Sequence, residues 1–380
     1  MQTIQQSRSL APDLARGFML LLIAMAYTDA HLSDWGTPAL ETQNDSIPEQ
    51  TAISIKTLFR DNRAYPMFAF LFGYGSVLLF QKLERSNLSN KLISKRFRKR
   101  AFWLIVFGFF HSVFVFSYEI LAPYGIALLI TAPLLFKTDY RLQKTLKILI
   151  PIFIILLIGV GFMYAAPPEM YDNESYGMPA DSYWEMVTNG LKNFPMSVLM
   201  VLGYPIIPVM IMGMLAARIQ LLDNKAAHLV LLKKISRIGI SVSIIGAVPL
   251  LLKELHFWQP VYEMEALAHT LHLISGAFGG VGYAALFGII TYQLQHSTGI
   301  ITQAVAALGK RSLTGYLLQS TLIMLLMSSF SGNLGKKLSD FQSALLGFTV
   351  WLGVVLFAYV LERRNMPGPF DSLLRKLANR

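Results

Sequence analysis

The stretch APDLARGFMLLLIAMAYTDAHL, from Ala11 to Leu32, decides the fold class of this chain. Read as a helix at about 1.5 Å per residue, it places Arg16 and His31 about 22 Å apart, most of the thickness of a bilayer core. One stripe of this helix is unusually polar for a membrane span, so we expect it to face protein or a wet cavity rather than lipid. The residues of the stripe are Asp13, Arg16, Leu20, Tyr27 and His31.

A simpler interpretation of this stretch is an N-terminal membrane anchor with polar flanks, and it stays open from sequence. A cleaved signal peptide is disfavoured. Ala24-Met25-Ala26 imitates a cleavage site, but the positive region before it is thin and is interrupted by Asp13 and Arg16.

The composition extends this view to the whole chain. Of 380 residues, 54% are hydrophobic and 14% are charged, whereas a soluble domain has about 25% charged residues. We therefore predict an all-α, polytopic membrane protein in which residues 1–380 form a single transmembrane domain with about ten helices around a central cavity. The first, second, third and eighth spans should line that cavity. The predicted spans are 12–31, 65–81, 101–118, 120–136, 148–166, 194–217, 236–252, 268–294, 312–330 and 342–361.

The basic residues predict the orientation. With the N-terminus inside, the inner segments hold 26 of the 33 Lys and Arg residues but only 6 of the 22 Asp and Glu residues. This asymmetry places both termini in the cytoplasm. The net charge of +11 is then an orientation signal and a contact with anionic membrane lipid, and it requires no nucleic acid.

Three segments outside the spans have a composition from which a specific structure can be predicted. Residues 32–64 form an outer loop with room for an interfacial helix, and residues 167–193 form an acidic outer loop. Residues 362–380 form a cytoplasmic amphipathic tail. Within the sixth span, Pro195, Pro205 and Pro208 predict kinks or a broken helix.

Several charged residues are candidates for binding. The run Lys91 to Arg100 is interpreted either as an inner anchor or as a landing site for phosphates. Arg60 and Arg63, on the outer side, suit a carboxylate or phosphate ligand or else an anchoring salt bridge.

Histidines are the other candidates. His111, in mid-membrane, needs a partner on another helix. His269 and His272, with His256 or Glu265, are too weak a pattern for a metal, and hydrogen bonding between helices explains them better. Since cysteine is absent, disulfides and Cys-based metal sites are excluded. We expect no metal.

Four motifs carry a resemblance. They are LGKRSLTGYLLQS (Leu308 to Ser320), NMPGPFDSLLRKL (Asn365 to Leu377), Asp13-x-x-Arg16-Gly17-Phe18 and Leu71-Phe72-Gly73-Tyr74-Gly75. The chain resembles the YeiB-like family of bacterial inner-membrane proteins, the domain of unknown function DUF418. The first-span motif is also similar to that of a wider set of transmembrane acyltransferases, including the heparan-α-glucosaminide N-acetyltransferase and acyltransferase-3 types.

The wider resemblance implies transfer of an acyl group from cytoplasmic acyl-CoA to an extracytoplasmic or lipid-linked hydroxyl or amine. That set carries an Asn or His eleven positions after the first-span Arg. Here Tyr27 holds that position relative to Arg16, and the histidine comes at His31.

Acyl transfer needs a base, a hold on the donor and stabilisation of an oxyanion. His31 is the leading base, oriented by Asp29 or Asp34, and His111 is the alternative or lines the path of the thioester arm. Arg60 or Arg63 would stabilise the oxyanion or bind an acidic acceptor. The residues expected at the phosphates of CoA are Arg16, Arg98, Arg100, Lys310 and Arg311.

Two other classes of function stay open. Ten spans, proline-broken helices and buried ionisable groups also fit a transporter or permease for a small organic or lipid-like solute. A third class is a non-catalytic partner in an envelope complex, and a homo-oligomer is compatible with each of the three. Binding of acyl-CoA by the purified protein separates the enzyme from the transporter.

Overall fold

A computed structural model describes residues 10–32, 46–117, 119–167, 180, 182–223, 225–294 and 299–379. Within these ranges the chain forms helices and no strands, which confirms the predicted all-α class. A π-helical turn, Lys56–Arg60, follows α2, and a 3₁₀ turn, Ala132–Phe136, follows α5. The helices are α1 (Leu10–Ala30), α2 (Ile47–Ile55), α3 (Ala64–Arg85), α4 (Asn90–Phe114), α5 (Leu121–Thr131), α6 (Asp139–Ala165), α7 (Tyr183–Gly203), α8 (Ile206–Arg218), α9 (Lys225–Glu254), α10 (Tyr262–Gln293), α11 (Ile300–Lys310), α12 (Ser312–Met327), α13 (Asp340–Arg363) and α14 (Pro369–Asn379).

Six described helical stretches are long and apolar enough to cross a membrane. Shorter apolar helices supply the rest of the bundle: Leu121–Phe136, Ile206–Arg218, Ile300–Lys310 and Ser312–Met327. The chain is thus a polytopic membrane protein, whereas the count of ten spans and their orientation stay predictions. The long stretches are Leu10–Ala30, Ile47–Arg85, Asp139–Ala165, Ala226–Glu254, Tyr262–Gln293 and Asp340–Arg363.

Two predicted spans differ from regular helices. The sixth is broken, because α7 ends at Gly203 and α8 begins at Ile206, with Pro205 between them. Proline lacks the N–H that would continue the helix, so the predicted break is confirmed. The third is longer than expected, since α4 begins at Asn90 and takes in the whole basic run as its first turns.

Helix α1 lies at the centre of the bundle, in contact with α3, α10, α11, α12 and α13. The polar stripe predicted on α1 is covered by protein, with Asp13 and Tyr27 buried and Arg16 and His31 partly buried. The indole Nε1 of Trp351 on α13 donates to the carbonyl of Gly17 at 2.9 Å. The stripe therefore faces protein, as its polarity requires.

Small residues set the closest helix contacts. A Cβ on Gly73 would collide with the backbone of Met210, and one on Gly213 would collide with the backbone of Phe70, so α3 and α8 touch directly. Gly276 and Gly280 of α10 press in the same way against the backbone around Asn62 and Arg63. These glycines therefore allow the neighbouring backbones to approach closely.

The two ends of the bundle carry different chemistry. At one end, called here the His31 end, the C-terminal part of α1 and helix α2 both pack near the N-terminus of α13; at the other, the Arg16 end, α14 contacts α4 and α12. Helix α2 falls in the segment expected to hold an interfacial helix, and α14 falls in the predicted tail. Residues 33–45, including Asp34, and residues 168–179 and 181 of the acidic segment 167–193 lie outside the described residues.

Candidate functional site

Arg60 forms the core of an ion cluster at the His31 end. Its Nη2 donates to Asp29 Oδ2 and its Nε donates to Asp61 Oδ1, both at 2.7 Å. Lys56 Nζ lies 3.0 Å from Asp340 Oδ1 and 3.6 Å from Asp29 Oδ2. The π turn matters here, since it places Lys56 and Arg60 on the same side of the chain, toward α1 and α13. We call Asp29, Lys56, Arg60, Asp61 and Asp340 the ion cluster.

A cavity of about 240 Å³ adjoins the ion cluster, between α1, α2 and α13. Asp29, Lys56, Arg60 and Asp340 border it almost entirely with their carbon atoms. Apolar side chains form most of the remaining wall, among them Met25, Ile55, Phe341, Leu345 and Phe348. This cavity is not the one expected among the first, second, third and eighth predicted spans. Where α1, α3 and α10 face each other, glycine backbones pack directly against their neighbours.

His31 is held by its own helix. Its Nδ1 lies 2.7 Å from the carbonyl oxygen of Tyr27, so Nδ1 carries the proton and Nε2 is the basic nitrogen. The ring stacks on Phe116, with centroids 4.8 Å apart. With Nδ1–H donated to the Tyr27 carbonyl, Nε2 is left as the ring nitrogen able to accept a proton.

The orientation of His31 corrects one prediction. Asp29 binds Arg60 and Lys56 instead, and Asp34 lies outside the described residues. The reason is helical geometry, because positions two apart on a helix point to different sides. The carbonyl of Tyr27, one helical turn before His31, therefore orients the imidazole in place of the expected carboxylate.

His111 belongs to the same neighbourhood as His31. Its Nε2 lies 2.7 Å from Ser320 Oγ on α12, and its ring centroid lies 4.9 Å from that of Tyr316. Tyr316 in turn shares a 2.6 Å hydrogen bond with the hydroxyl of Tyr27. Since Tyr27 also packs on Phe116, the two histidines are joined through a continuous set of rings. The partner on another helix that His111 was expected to need is Ser320.

Glu119 was not singled out from the sequence. It is buried beside this set of rings, and it accepts hydrogen bonds from the backbone N–H groups of Leu121 and Ala122, the latter at 2.8 Å. Burial raises the pKa of Glu119 to about 7, although these N–H groups act in the opposite direction. A signal was available, because an acid just before a proline-containing helix start is a capping position.

Arg63 has different hydrogen-bond partners from Arg60. Its side chain is fully buried, and Nη2 donates to the carbonyl of Ser243 at 2.8 Å. Its Nη1 donates to the carbonyls of Thr57, at 3.0 Å, and Asp61, and lies 3.4 Å from His272. Within the described chain no hydrogen bond of this guanidinium goes to a carboxylate. The two arginines considered together in the sequence thus belong to separate sites.

Three of the predicted donor-binding residues gather at the Arg16 end. Arg16 Nη2 donates to the carbonyl of Leu71 at 3.1 Å, and Nη1 lies 3.6 Å from Asp13. Arg100 on α4 lies within electrostatic reach of Arg16 and of Arg375 on α14. Arg98 is exposed on the same helix. With Asp13 beside Arg16 and Asp371 near Arg100, the N-terminal end of α1 combines four arginines with two carboxylates and has an excess of positive charge.

Lys310 and Arg311 have a different setting from those arginines. Lys310 Nζ and Arg311 Nη1 both lie 2.6 Å from the carboxylate of Glu362, and Arg311 Nε donates to the carbonyl of Met366 at 3.0 Å. Asp371 of α14 accepts from Thr314 Oγ1 at 2.7 Å. The two motifs quoted from the C-terminal part of the sequence therefore meet, and they tie the tail to the bundle.

Comparison with known proteins shows what this chain is similar to. Residues 216–380 match the family model described as "Protein of unknown function (DUF418)". The chain is 24% identical to the uncharacterized protein YxaH of Bacillus subtilis, over 98% of this chain and 94% of the relative. It is 25% identical to the uncharacterized protein YeiB of Escherichia coli, over 83% and 81% of the two chains.

Proposed function

We propose that this chain, which is similar to the YeiB-like proteins of the DUF418 family, is a membrane-bound acyltransferase. The donor is acyl-CoA, bound at the Arg16 end, which the charge pattern predicts to be cytoplasmic. The acceptor is an extracytoplasmic or lipid-linked hydroxyl or amine, reached from the His31 end.

One observation carries the proposal: α1 has a cluster of arginines at one end and an imidazole of fixed tautomer at the other. Nε2 of His31 accepts the proton of the acceptor as its oxygen or nitrogen attacks the thioester carbonyl. The carbon–sulfur bond then breaks, and the proton passes to the departing thiolate of CoA. His111, paired with Ser320, is the alternative base deeper in the bundle.

The hydrogen bonds of the arginines and of Lys310 indicate which role each has in the proposed reaction. Arg60 lies at the edge of a cavity and suits the oxyanion, whereas Arg63 is closed in by backbone carbonyls. Arg16, Arg98 and Arg100 are proposed for the phosphates of the donor. Lys310 and Arg311 are engaged by Glu362, so we assign them to holding the tail.

The test uses the absence of cysteine from the chain. The protein, reconstituted in bilayer discs of bacterial phospholipid, is given acetyl-CoA, and released CoA is followed with a thiol reagent to which the protein contributes no background. We expect His31→Asn to lower turnover about 100-fold or more, the usual contribution of a general base. His256→Asn, on an exposed histidine, is the matched control and keeps turnover within about twofold.

The outcomes separate the candidate bases. Full turnover in His31→Asn with loss in His111→Asn moves the base to His111. Absence of CoA release by the unaltered protein with any acyl-CoA chain length, in discs that contain the acceptor lipids, contradicts the enzyme.

A transporter for a small organic or lipid-like solute is the second candidate. The observation that favours it is the break between α7 and α8 at Pro205, a feature from which transporters build solute sites. Uptake of solute into proteoliposomes without any acyl donor would support this function, and would be unaffected by His31→Asn.

A further inference from the structure

The basic run at the start of α4 has two different sides. Arg96 and Arg100 lie one helical turn apart, so they share a side of the helix. That side also carries Ile93 and Phe97, which are 0% and 1% exposed. Lys95 lies on the opposite side and is exposed, as suits a contact with anionic lipid. Since Arg96 and Arg100 are turned toward the protein, anchoring to lipid does not explain them.

Neither of these arginines has an ion-pair partner among the described residues. Arg100 forms no hydrogen bond there, and the Nε of Arg96 is buried without a hydrogen-bond partner. The carboxylate of Asp371 acts on Arg100 only at longer range. A guanidinium turned toward protein needs acceptors for its N–H groups. The two side chains are therefore suited to a ligand that brings those acceptors.

The tail helix α14 brings another arginine to the same place. Asp371, in its first turn, accepts hydrogen bonds from the backbone N–H groups of Leu313 and Thr314, at 3.3 and 3.1 Å. These bonds fix α14 at the N-terminus of α12, and α14 also packs on α4. Arg375 lies one turn after Asp371, is exposed, and is within electrostatic reach of Arg100.

Positive charge is in excess at this place. Arg16 of α1 also lies within electrostatic reach of Arg100, and its Nη1 lies 3.6 Å from Asp13. We call Arg16, Arg96, Arg100 and Arg375 the arginine group. The carboxylates beside it are those of Asp13 and Asp371, so four cations face two anions and two positive charges are left over.

The excess charge and the geometry of guanidinium define the ligand. Guanidinium groups bind phosphate oxygens in pairs, and a diphosphate ester carries the two negative charges that are needed. The Cβ atoms of Arg96 and Arg100 are about 6 Å apart, as one helical turn requires, so both side chains can reach one diphosphate. Arg375 is exposed, which opens the group to a ligand from solution.

We propose that the arginine group binds the diphosphate of a soluble ester, and that the tail helix completes this site with Arg375. The tail is then part of a binding site as well as a structural element. That the diphosphate belongs to the coenzyme A of the acyl donor rests on the proposed function; the binding of a diphosphate does not.

The experiment measures binding without any acyl group. The full chain, in discs of phosphatidylcholine, which has no net charge, is titrated with inorganic pyrophosphate in a calorimeter. We expect saturable binding that weakens about tenfold or more in Arg100→Gln and in Arg375→Gln, because each variant loses hydrogen bonds between charged groups. Absence of saturable binding by the unaltered protein overturns the proposal.

Two lysines provide matched controls. Lys376 is exposed next to Arg375 on α14, and Lys95 is exposed on the outer side of α4. Lys376→Gln and Lys95→Gln each remove one positive charge and should leave the affinity for pyrophosphate within about twofold. An equal loss in the lysine and arginine variants would show only a general attraction to a basic surface, and it overturns the site. If Arg100→Gln does not fold, Arg375→Gln and Lys376→Gln still decide the question.

Anionic lipid head groups are the other source of phosphate. The full chain in detergent is incubated with phosphatidylglycerol, and bound lipid is counted by native mass spectrometry. We expect the same count for the unaltered protein and for Arg375→Gln, with no displacement of lipid by pyrophosphate. Loss of lipid in the variant, or its displacement by pyrophosphate, would assign the arginine group to a head group and overturns the soluble ligand.

Coenzyme A links this site to the proposed function, and it should displace pyrophosphate from the unaltered protein. His31→Asn, at the other end of α1, should bind pyrophosphate as before. Pyrophosphate binding as expected, without any release of CoA from acyl-CoA, contradicts acyl transfer alone. Release of CoA together with unchanged pyrophosphate binding in Arg375→Gln contradicts the arginine group alone.

Discussion

Arg60 and Arg63 are three positions apart, both are buried, and they occupy opposite kinds of site. Arg60 is neutralised by two carboxylates that are themselves 23% and 32% exposed, beside a cavity. In the described chain Arg63 forms no salt bridge and is held by the carbonyls of Thr57, Asp61 and Ser243, which we call the carbonyl site. Side-chain carboxylates can exchange partners with a ligand, whereas backbone dipoles cannot move. The first site is therefore suited to binding, and the second to holding the fold.

The backbone between the two arginines causes the difference. The π turn ends at Arg60, and Asn62 then takes a left-handed conformation with φ of 59° before α3 begins. Asn tolerates that conformation better than most residues. The reversal sends the Arg60 side chain toward α1 and the Arg63 side chain toward α9 and α10, where Ser243 and His272 lie.

Arg63→Met should have the largest effect. Methionine fills much of the space but leaves the carbonyl site without donors, and each buried acceptor left unpaired costs about 1–3 kcal/mol. We expect the free energy of unfolding, measured by denaturant titration in mixed micelles, to fall by about 3–5 kcal/mol.

Arg85→Met provides the control for this prediction. Arg85 is an exposed arginine in the last turn of α3, so its loss should cost less than about 1 kcal/mol. A loss for Arg63→Met as small as that of Arg85→Met would show that the carbonyl site is not structural.

Glu119 extends the comparison between the ion cluster and the carbonyl site. Its carboxylate is held by backbone N–H groups, just as the Arg63 guanidinium is held by backbone carbonyls. Burial raises its pKa to about 7 from an ordinary value near 4.5. Between these values the folded protein binds a proton that the unfolded chain has lost, so stability is full below about pH 4.5 and declines as the pH rises toward 7. The decline should amount to at most about 3 kcal/mol.

Glu119→Gln removes this dependence. The free energy of unfolding, followed from pH 5 to pH 8, should change less with pH in the variant than in the unaltered protein. Glu263→Gln, at an exposed carboxyl of α10, should leave the slope as it was. If the free energy of unfolding depends on pH in the same way for Glu119→Gln and for the unaltered protein, Glu119 does not titrate between pH 5 and pH 8, and the prediction is contradicted.

The sequence allowed the fold to be predicted further than the site. Hydropathy and proline position predicted the helices and the break at Pro205, because both act locally. The polar stripe of α1 predicted which face is buried.

The pairing of Arg60 with Asp29 was not predictable, because it depends on a π turn without a residue signature and on the packing of α2 against α13. Tyr316 and Ser320 were quoted within a motif, but only the packing of α12 on α4 and α1 shows their partners.

Arg60→Gln should have the smallest effect on stability, about 1 kcal/mol, although Arg60 is as buried as many core residues. The reason is that Asp29 retains Lys56, and that Asp29 and Asp61 are both partly open to solvent, so neither carboxylate is left isolated in an apolar interior. Adding Asp61→Asn should recover part of the loss, since it removes the carboxylate that Arg60→Gln leaves without its partner, and the double-variant cycle measures this coupling in the same micelles. A loss equal to that of Arg63→Met would remove the distinction between a site for binding and a site for folding.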